Sequence, residues 1–140
     1  MKNLKIYKMF DNVQTPTFAS KGSACFDLHA YINMNHNIVQ FIDGGGKKNP
    51  KKIKNDGMVV LYPNERVLIP TGIIMDIPEG HSVRLHPRSG NAFKKGLTLA
   101  NGEGIIDSDY VEEVMCMMHN ISDLNVVINN GDRLCQGELV

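Results

Sequence analysis

Met58-Val-Val-Leu-Tyr62, Pro63-Asn64-Glu65, Arg66-Val-Leu-Ile69, Thr71-Gly72, Ile73-Ile-Met-Asp-Ile77, Pro78-Glu79-Gly80, Ser82-Val-Arg-Leu-His86: short apolar runs alternate here with turn formers. Proline presets the backbone for a turn, asparagine bonds its own backbone, and glycine reaches conformations closed to other residues. Val83 and Leu85 fall on one face of an extended segment, with Arg84 and His86 on the other. No 3.6-residue apolar period survives beyond a turn or two. Turn signals recur roughly every eight to twelve residues, the spacing of an all-β sandwich or barrel.

The flanking chain extends this pattern. Leu4 to Tyr7 reads as a first strand, Cys25 to Ala30 as a second, and His36 to Ile42 as a third. Val126 to Ile128, the turn Asn129-Asn130-Gly131, and Leu134 to Val140 read as a last hairpin. The best helical candidate is short, Ser89 to Lys95 closed by Gly96. Met115, Met117 and Met118 are expected to fill core rather than to form a binding surface. Residues 43–57 carry five lysines, four glycines and a proline, which leaves little to bury. That segment is read as a solvated loop or hairpin tip, in preference to a basic arm for nucleic acid or a triphosphate.

Composition narrows the function classes. The 140 residues suit one domain, 1–140, that is 42% hydrophobic and 21% charged. Fifteen basic and fifteen acidic side chains cancel, so no global field draws the chain to nucleic acid or a membrane. Cys25, Cys116 and Cys135 have neither disulfide-framework nor zinc-site spacing, and the five histidines show no metal-ligand spacing. An odd, unpatterned cysteine set is expected in a reducing compartment, the cytoplasm or, for a viral protein, the host-cell cytoplasm. The N-terminus lacks a signal-peptide core, and no apolar run approaches the ~20 residues of a membrane span.

Two polar segments interrupt the strand pattern. Pro87-Arg88-Ser89-Gly90 offers a guanidinium, a hydroxyl and a glycine backbone in succession. It reads equally as an anion site or as a helix N-cap after proline. Asn101 to Val114 is Asn-Gly-Glu-Gly-Ile-Ile-Asp-Ser-Asp-Tyr-Val-Glu-Glu-Val, read within a hairpin, Gly102 to Met118, bent near residues 107–109. A bend there frees Asp107 and Tyr110 to converge on one ligand. Taken alone, a surface turn with solvated acids explains it better.

The order of four segments resolves that choice. Gly22-Ser23-Ala24 followed by Asp27-Leu28, then Pro87-Arg88-Ser89-Gly90, then Gly104-Ile105-Ile106-Asp107-Ser108-Asp109-Tyr110, then Gly131-Asp132-Arg133-Leu134 followed by Gln136, resembles four of the five motifs of the trimeric all-β dUTPases. The resemblance runs from about Gly22 to the end, apart from the lysine-rich insertion. It implies a distorted jelly-roll β-barrel or sandwich, a homotrimer with shared sites, and Mg²⁺-assisted hydrolysis of dUTP to dUMP and pyrophosphate. That activity serves nucleotide metabolism and keeps uracil out of DNA. Carried over by position, Asp107 is the base that orients water, and Tyr110 the platform under deoxyribose. Asn101, with backbone of Ile105, Ile106 and Met115, reads uracil. Arg88, Ser89 and Gly90 hold phosphates, Gln136 contacts the α-phosphate region, and Asp27 holds water ligands of the metal.

Three departures accompany the resemblance. The fifth motif, an arginine- and glycine-rich tail, is absent before Val140, so further residues are expected beyond it. Glu112 stands where the family usually has glycine, which is expected to strain the hairpin or place an acid near the site. Cys25 replaces another usual glycine. Rival readings are a dCTP deaminase of the same fold, against which the Asp-Ser-Asp-Tyr segment argues, and a non-catalytic dUTP-binding regulator. Neither stable nucleic-acid binding nor membrane association is expected.

Overall fold

The structure, a computed structural model, describes residues 3–32, 38–52 and 57–140. In chain order its strands are β1 (Lys5–Lys8), β2 (Phe26–His29), β3 (Ile38–Val39), β4 (Phe41–Ile42), β5 (Lys51–Lys52), β6 (Met58–Leu61) and β7 (Arg66–Asp76). β8 (Ser82–Pro87), β9 (Leu97–Leu99), β10 (Gly104–Asp107), β11 (Glu113–Asn120), β12 (Val126–Asn129) and β13 (Arg133–Leu139) follow. All pairings are antiparallel. One sheet runs β1-β7-β11-β9, with β4 also on β7; the other runs β10-β8-β13-β2. β12 pairs β6, and β3 pairs β5.

Strict alternation makes the layers. β8 buries Val83 and Leu85, and β11 buries Val114, Cys116 and Met118, while their neighbours face outward. Leu28, Phe41, Leu61, Ile69, Val83 and Met118 are wholly buried. Each such side chain contributes roughly 1.5–3 kcal/mol on leaving water. Cys116 and Cys135, on β11 and β13 of opposite sheets, touch in the core with sulfurs 3.1 Å apart. Their mutual hydrogen bond, with burial, holds the Cys116 thiol well above its ordinary value. On β13, Gly137 lies under Phe26; a Cβ there would collide with the ring.

The irregular point of β7 positions the site. Between the pairs Glu113↔Ile74 and Met115↔Pro70 the register shifts, leaving Thr71-Gly72-Ile73 opposite Val114 alone. Gly72 takes φ +69°, and a Cβ there would stand 2.7 Å from Val13. Its N–H donates to Glu113 Oε2 at 2.8 Å, while Thr71 Oγ1 donates to the Val114 carbonyl at 2.6 Å. The start of β11 is thus pinned to β7.

Several expected pairings differ. Segment 102–118 is not a hairpin: β10 pairs β8, whereas β11 pairs β7 and β9, so the residues between them cross from one sheet to the other. Ile106 and Val114 are both buried, each from its own sheet. The last hairpin is also absent, since β12 pairs β6 and β13 lies between β2 and β8. Its turn is a corner bonded to distant strands: Asn130 N–H donates to the Gly57 carbonyl, Gly131 N–H to Ala30, and Ile32 N–H to Asn130 Oδ1. Of the strand expected over 36–42, the first two residues lie outside the described part; the rest forms β3 and β4, with different partners.

Within the lysine-rich segment, residues 53–56 lie outside the described part, but Lys51 is not simply solvated. Its ammonium meets Glu65 at 2.6 Å and sits over the Phe41 and Tyr62 rings at 4.3 and 3.9 Å. Glu65 is buried and carries an ion-pair partner, as a buried carboxylate requires. Of the three methionines only Met118 is core; Met115 and Met117 point to the opposite face of β11.

Candidate active site

Asp107 to Tyr110 forms a turn, closed by Tyr110 N–H donating to the Asp107 carbonyl at 3.1 Å. Past it, the Tyr110 hydroxyl donates to the Glu113 carbonyl at 2.6 Å. Burial pushes that hydroxyl's pKa up, and the Glu112 and Glu113 carboxylates push it the same way, so the phenol stays protonated. The turn bridges an edge strand, β10, and the first half of β11, which β9 does not reach. Edge strands carry backbone N–H and C=O groups that no ladder uses. A cleft of about 200 Å³ opens between them, lined by Asn101, Ile105, Ile106, Asp107, Tyr110 and Met115 among others. Sites for whole drug-sized ligands run from ~300 Å³, so this cleft is smaller than a complete ligand site.

Six residues expected at one site therefore share one cleft. Ile106 is buried, Ile105 is 58% exposed, and Tyr110 shows its ring at 38%. Asp107 is exposed, and among the described residues no group hydrogen-bonds its carboxylate. Met117 also lines the cleft, unanticipated by the core reading of the methionines; alternation from buried Cys116 and Met118 would have found it. Glu112 is exposed and has no positive φ, so the expected strain is absent; its influence is electrostatic, on Tyr110.

The other five expected residues gather elsewhere. Arg88 Nε donates to Asp27 Oδ1 at 3.2 Å, and Arg133 approaches Oδ2 at 4.0 Å. Asp27 is largely shielded from solvent, its side chain 16% exposed. Gln136 lies between Asp27 and His86 in register. Ser89 and Gly90 start the helical turn, which continues through Asn91–Lys95 and closes at Gly96, φ +67°. The cap residue is Gly90, so the expected Ser89 cap does not form. A wider cleft of about 490 Å³ adjoins, lined by Asp27, His29, Asp132 and Arg133. His29 Nδ1 is buried without a partner among the described residues, and burial lowers its pKa against the opposing pull of Asp27.

The two groups are far apart within one chain. Asp107 faces Ser82 at the start of β8, and Arg88 follows its end. Six residues of strand span roughly 20 Å. Arg88 accordingly does not line the cleft that holds Asp107.

The chain matches the dUTPase family over residues 53–137. It is 38% identical over 125 residues to a deoxyuridine 5′-triphosphate nucleotidohydrolase of Finegoldia magna, covering 89% of this chain and 71% of that one. Against the proteins of the same name from Hydrogenobaculum and Aquifex aeolicus, identity is 46% over 85 residues and 41% over 121. The matches cover 61% and 86% of this chain but span only 59% and 65% of those relatives. The crystal structure of a Streptococcus mutans dUTPase superposes with a TM-score of 0.74 at 24% identity, over 99% of this chain and 94% of that one; at that identity it shows a shared fold. With a family match over more than half its length, and a relative 38% identical over 89% of the chain, the chain belongs to the dUTPase family.

Proposed function

We propose that this protein hydrolyses dUTP to dUMP and pyrophosphate, at sites completed by neighbouring copies in a homotrimer. The observation that carries the reading is the cleft that brings Asn101, the open edges of β10 and β11, Tyr110 and Asp107 together. Uracil enters between the two edges, where backbone amides and carbonyls meet its imide face as a strand partner would. Cytosine presents an amino group where uracil has a carbonyl. The mispaired groups, once buried, cost about 1–3 kcal/mol each. The Tyr110 ring, held by its hydroxyl on Glu113, lies under the deoxyribose and leaves no room for a 2′-hydroxyl.

Asp107 is free to hold water. The water oxygen bonds to the α-phosphorus, the bridging α–β oxygen leaves with pyrophosphate, and the proton passes to the carboxylate. Arg88 spends one N–H on Asp27 and keeps its terminal nitrogens for phosphate oxygens. Ser89, Gly90 and Gln136 supply further donors around the phosphates. Because Arg88 and Asp107 stand roughly 20 Å apart along β8, the phosphate group of residues comes from a second copy.

The residues present fit Mg²⁺ in its usual mode, one carboxylate plus substrate oxygens and retained waters. Asp27 is a single half-hidden carboxylate beside the phosphate-binding arginine. It would hold water ligands of the ion, which when bound neutralises charge on the phosphates. A solved relative, a mutant of the dUTPase from phage phi11 of S. aureus, is described with a structural Mg(II) ion.

The test is incubation with dUTP or dCTP and Mg²⁺, with pyrophosphate and ammonia both quantified. Pyrophosphate from dUTP is expected. Ammonia from dCTP would identify a deaminase. Binding of dUTP with neither product would identify a regulator.

A further inference from the structure

We propose that Cys25, His86 and Glu138 form a binding site for a transition-metal ion of the Zn²⁺ class, an assignment that goes beyond nucleotide hydrolysis and does not rest on it. The three come from far-separated parts of the chain, and the β8-β13-β2 order brings them side by side. Gln136 faces both His86 and Asp27, and Gly137 faces Phe26. Period-two alternation then turns Cys25, His86 and Glu138 to the same, half-exposed side of the sheet.

Their ligand atoms, the thiol sulfur, an imidazole nitrogen and a carboxylate oxygen, all lie within 4.8 Å of one another. His86 Nε2 and Glu138 Oε1 are already 3.0 Å apart. Tetrahedral zinc bonds place such ligand atoms about 3.3–3.5 Å from each other. Small side-chain rotations therefore suffice, and the strands under His86 and Glu138 need not move. Three protein ligands leave a fourth position for water, an open rather than a closed site.

Donor chemistry selects the ion. A thiolate with an imidazole suits Zn²⁺ and excludes Mg²⁺, which prefers oxygen alone. The charges on this face also favour a cation. Arg84, opposite Glu138, is held at 2.8 Å by Glu103, and Arg88 is held by Asp27, so neither arginine neutralises Glu138. A simple His86–Glu138 ion pair explains two of the residues, but half-exposed pairs contribute little, and such a pair does not account for a thiol turned toward it.

The experiment uses the full chain, stripped with chelator, as wild type and as Cys25→Ser, His86→Gln and Glu138→Gln. Co²⁺ is titrated first and followed by absorbance, then Zn²⁺ by calorimetry, with circular dichroism to confirm that each variant is folded. The wild type should bind one ion per chain and show a thiolate-to-cobalt charge-transfer band. Cys25→Ser should lose that band, although Cys116 and Cys135 remain. His86→Gln and Glu138→Gln should each weaken Zn²⁺ binding tenfold or more. A band that survives Cys25→Ser, or equal Zn²⁺ affinity in wild type and all three variants, would overturn the assignment.

Discussion

Glu113 joins the scaffold to the cleft, and its removal has a calculable effect. The Glu113→Ala change deletes the acceptor of the Gly72 N–H, a bond of 2.8 Å to a buried glycine. The register shift in β7 leaves that amide no ladder partner. A hydrogen bond to a charged acceptor contributes about 1.5–3 kcal/mol, and an orphaned buried amide costs about 1–3 kcal/mol, so roughly 2 kcal/mol should be lost. For a chain of this size that lowers Tm by roughly 6 °C. Glu113→Gln keeps an acceptor oxygen and should lose about half as much or less. The same segment carries Tyr110, whose hydroxyl bonds the Glu113 carbonyl. A loosened start of β11 should therefore raise KM for dUTP more than it lowers kcat. Urea denaturation and steady-state kinetics on both variants measure this. Loss of under about 0.5 kcal/mol in Glu113→Ala, or equal losses in both variants, would refute the bulge-clamp reasoning.

Asp107→Asn should keep dUTP affinity and lose turnover by about 10²–10⁴-fold, because the carboxylate acts on water; an equal loss of affinity by calorimetry would contradict that role. Tyr110→Ala should erode discrimination against UTP at least tenfold, about 1.4 kcal/mol, as ratios of kcat/KM for the two nucleotides would show. His119 is held below the ordinary histidine value by burial, and by Arg66 directly opposite it on β7. On acidification the unfolded chain takes up that proton before the folded one, so stability falls as pH drops below about 6.5. His119→Gln should flatten the slope of unfolding free energy between about pH 7 and pH 5, whereas an unchanged slope would place the dependence elsewhere.

Fold class was legible because turn formers and two-residue alternation are local signals. Partner choice was not. Asn129-Asn130-Gly131 has the composition of a hairpin turn, yet its polar groups bond Gly57, Ala30 and Ile32, which no local reading contains. Asp107-Ser108-Asp109-Tyr110 likewise reads as a bend between two arms, and the arms prove to belong to opposite sheets. That same crossing opens the cleft, so a mistaken pairing concealed the reason the site exists. Asp107 and Tyr110 share one short segment, but that segment alone reads as a solvated turn; the order of the four motifs along the chain singled them out. Cys25, His86 and Glu138 were invisible because strand order alone joins them. Arg88 and Asp27 were each found, but their ion pair depends on β2 and β8 flanking β13 in one sheet.

The separation of Asp107 from Arg88 makes the proposed sharing of the site between copies directly measurable. Asp107→Asn and Arg88→Ala chains are each purified, shown to be nearly inactive on dUTP, then unfolded together in equal amounts and refolded. If each site takes Asp107 from one copy and Arg88 from its neighbour, random trimers should regain about one quarter of wild-type pyrophosphate release. A mixture no more active than its two components would contradict the shared site.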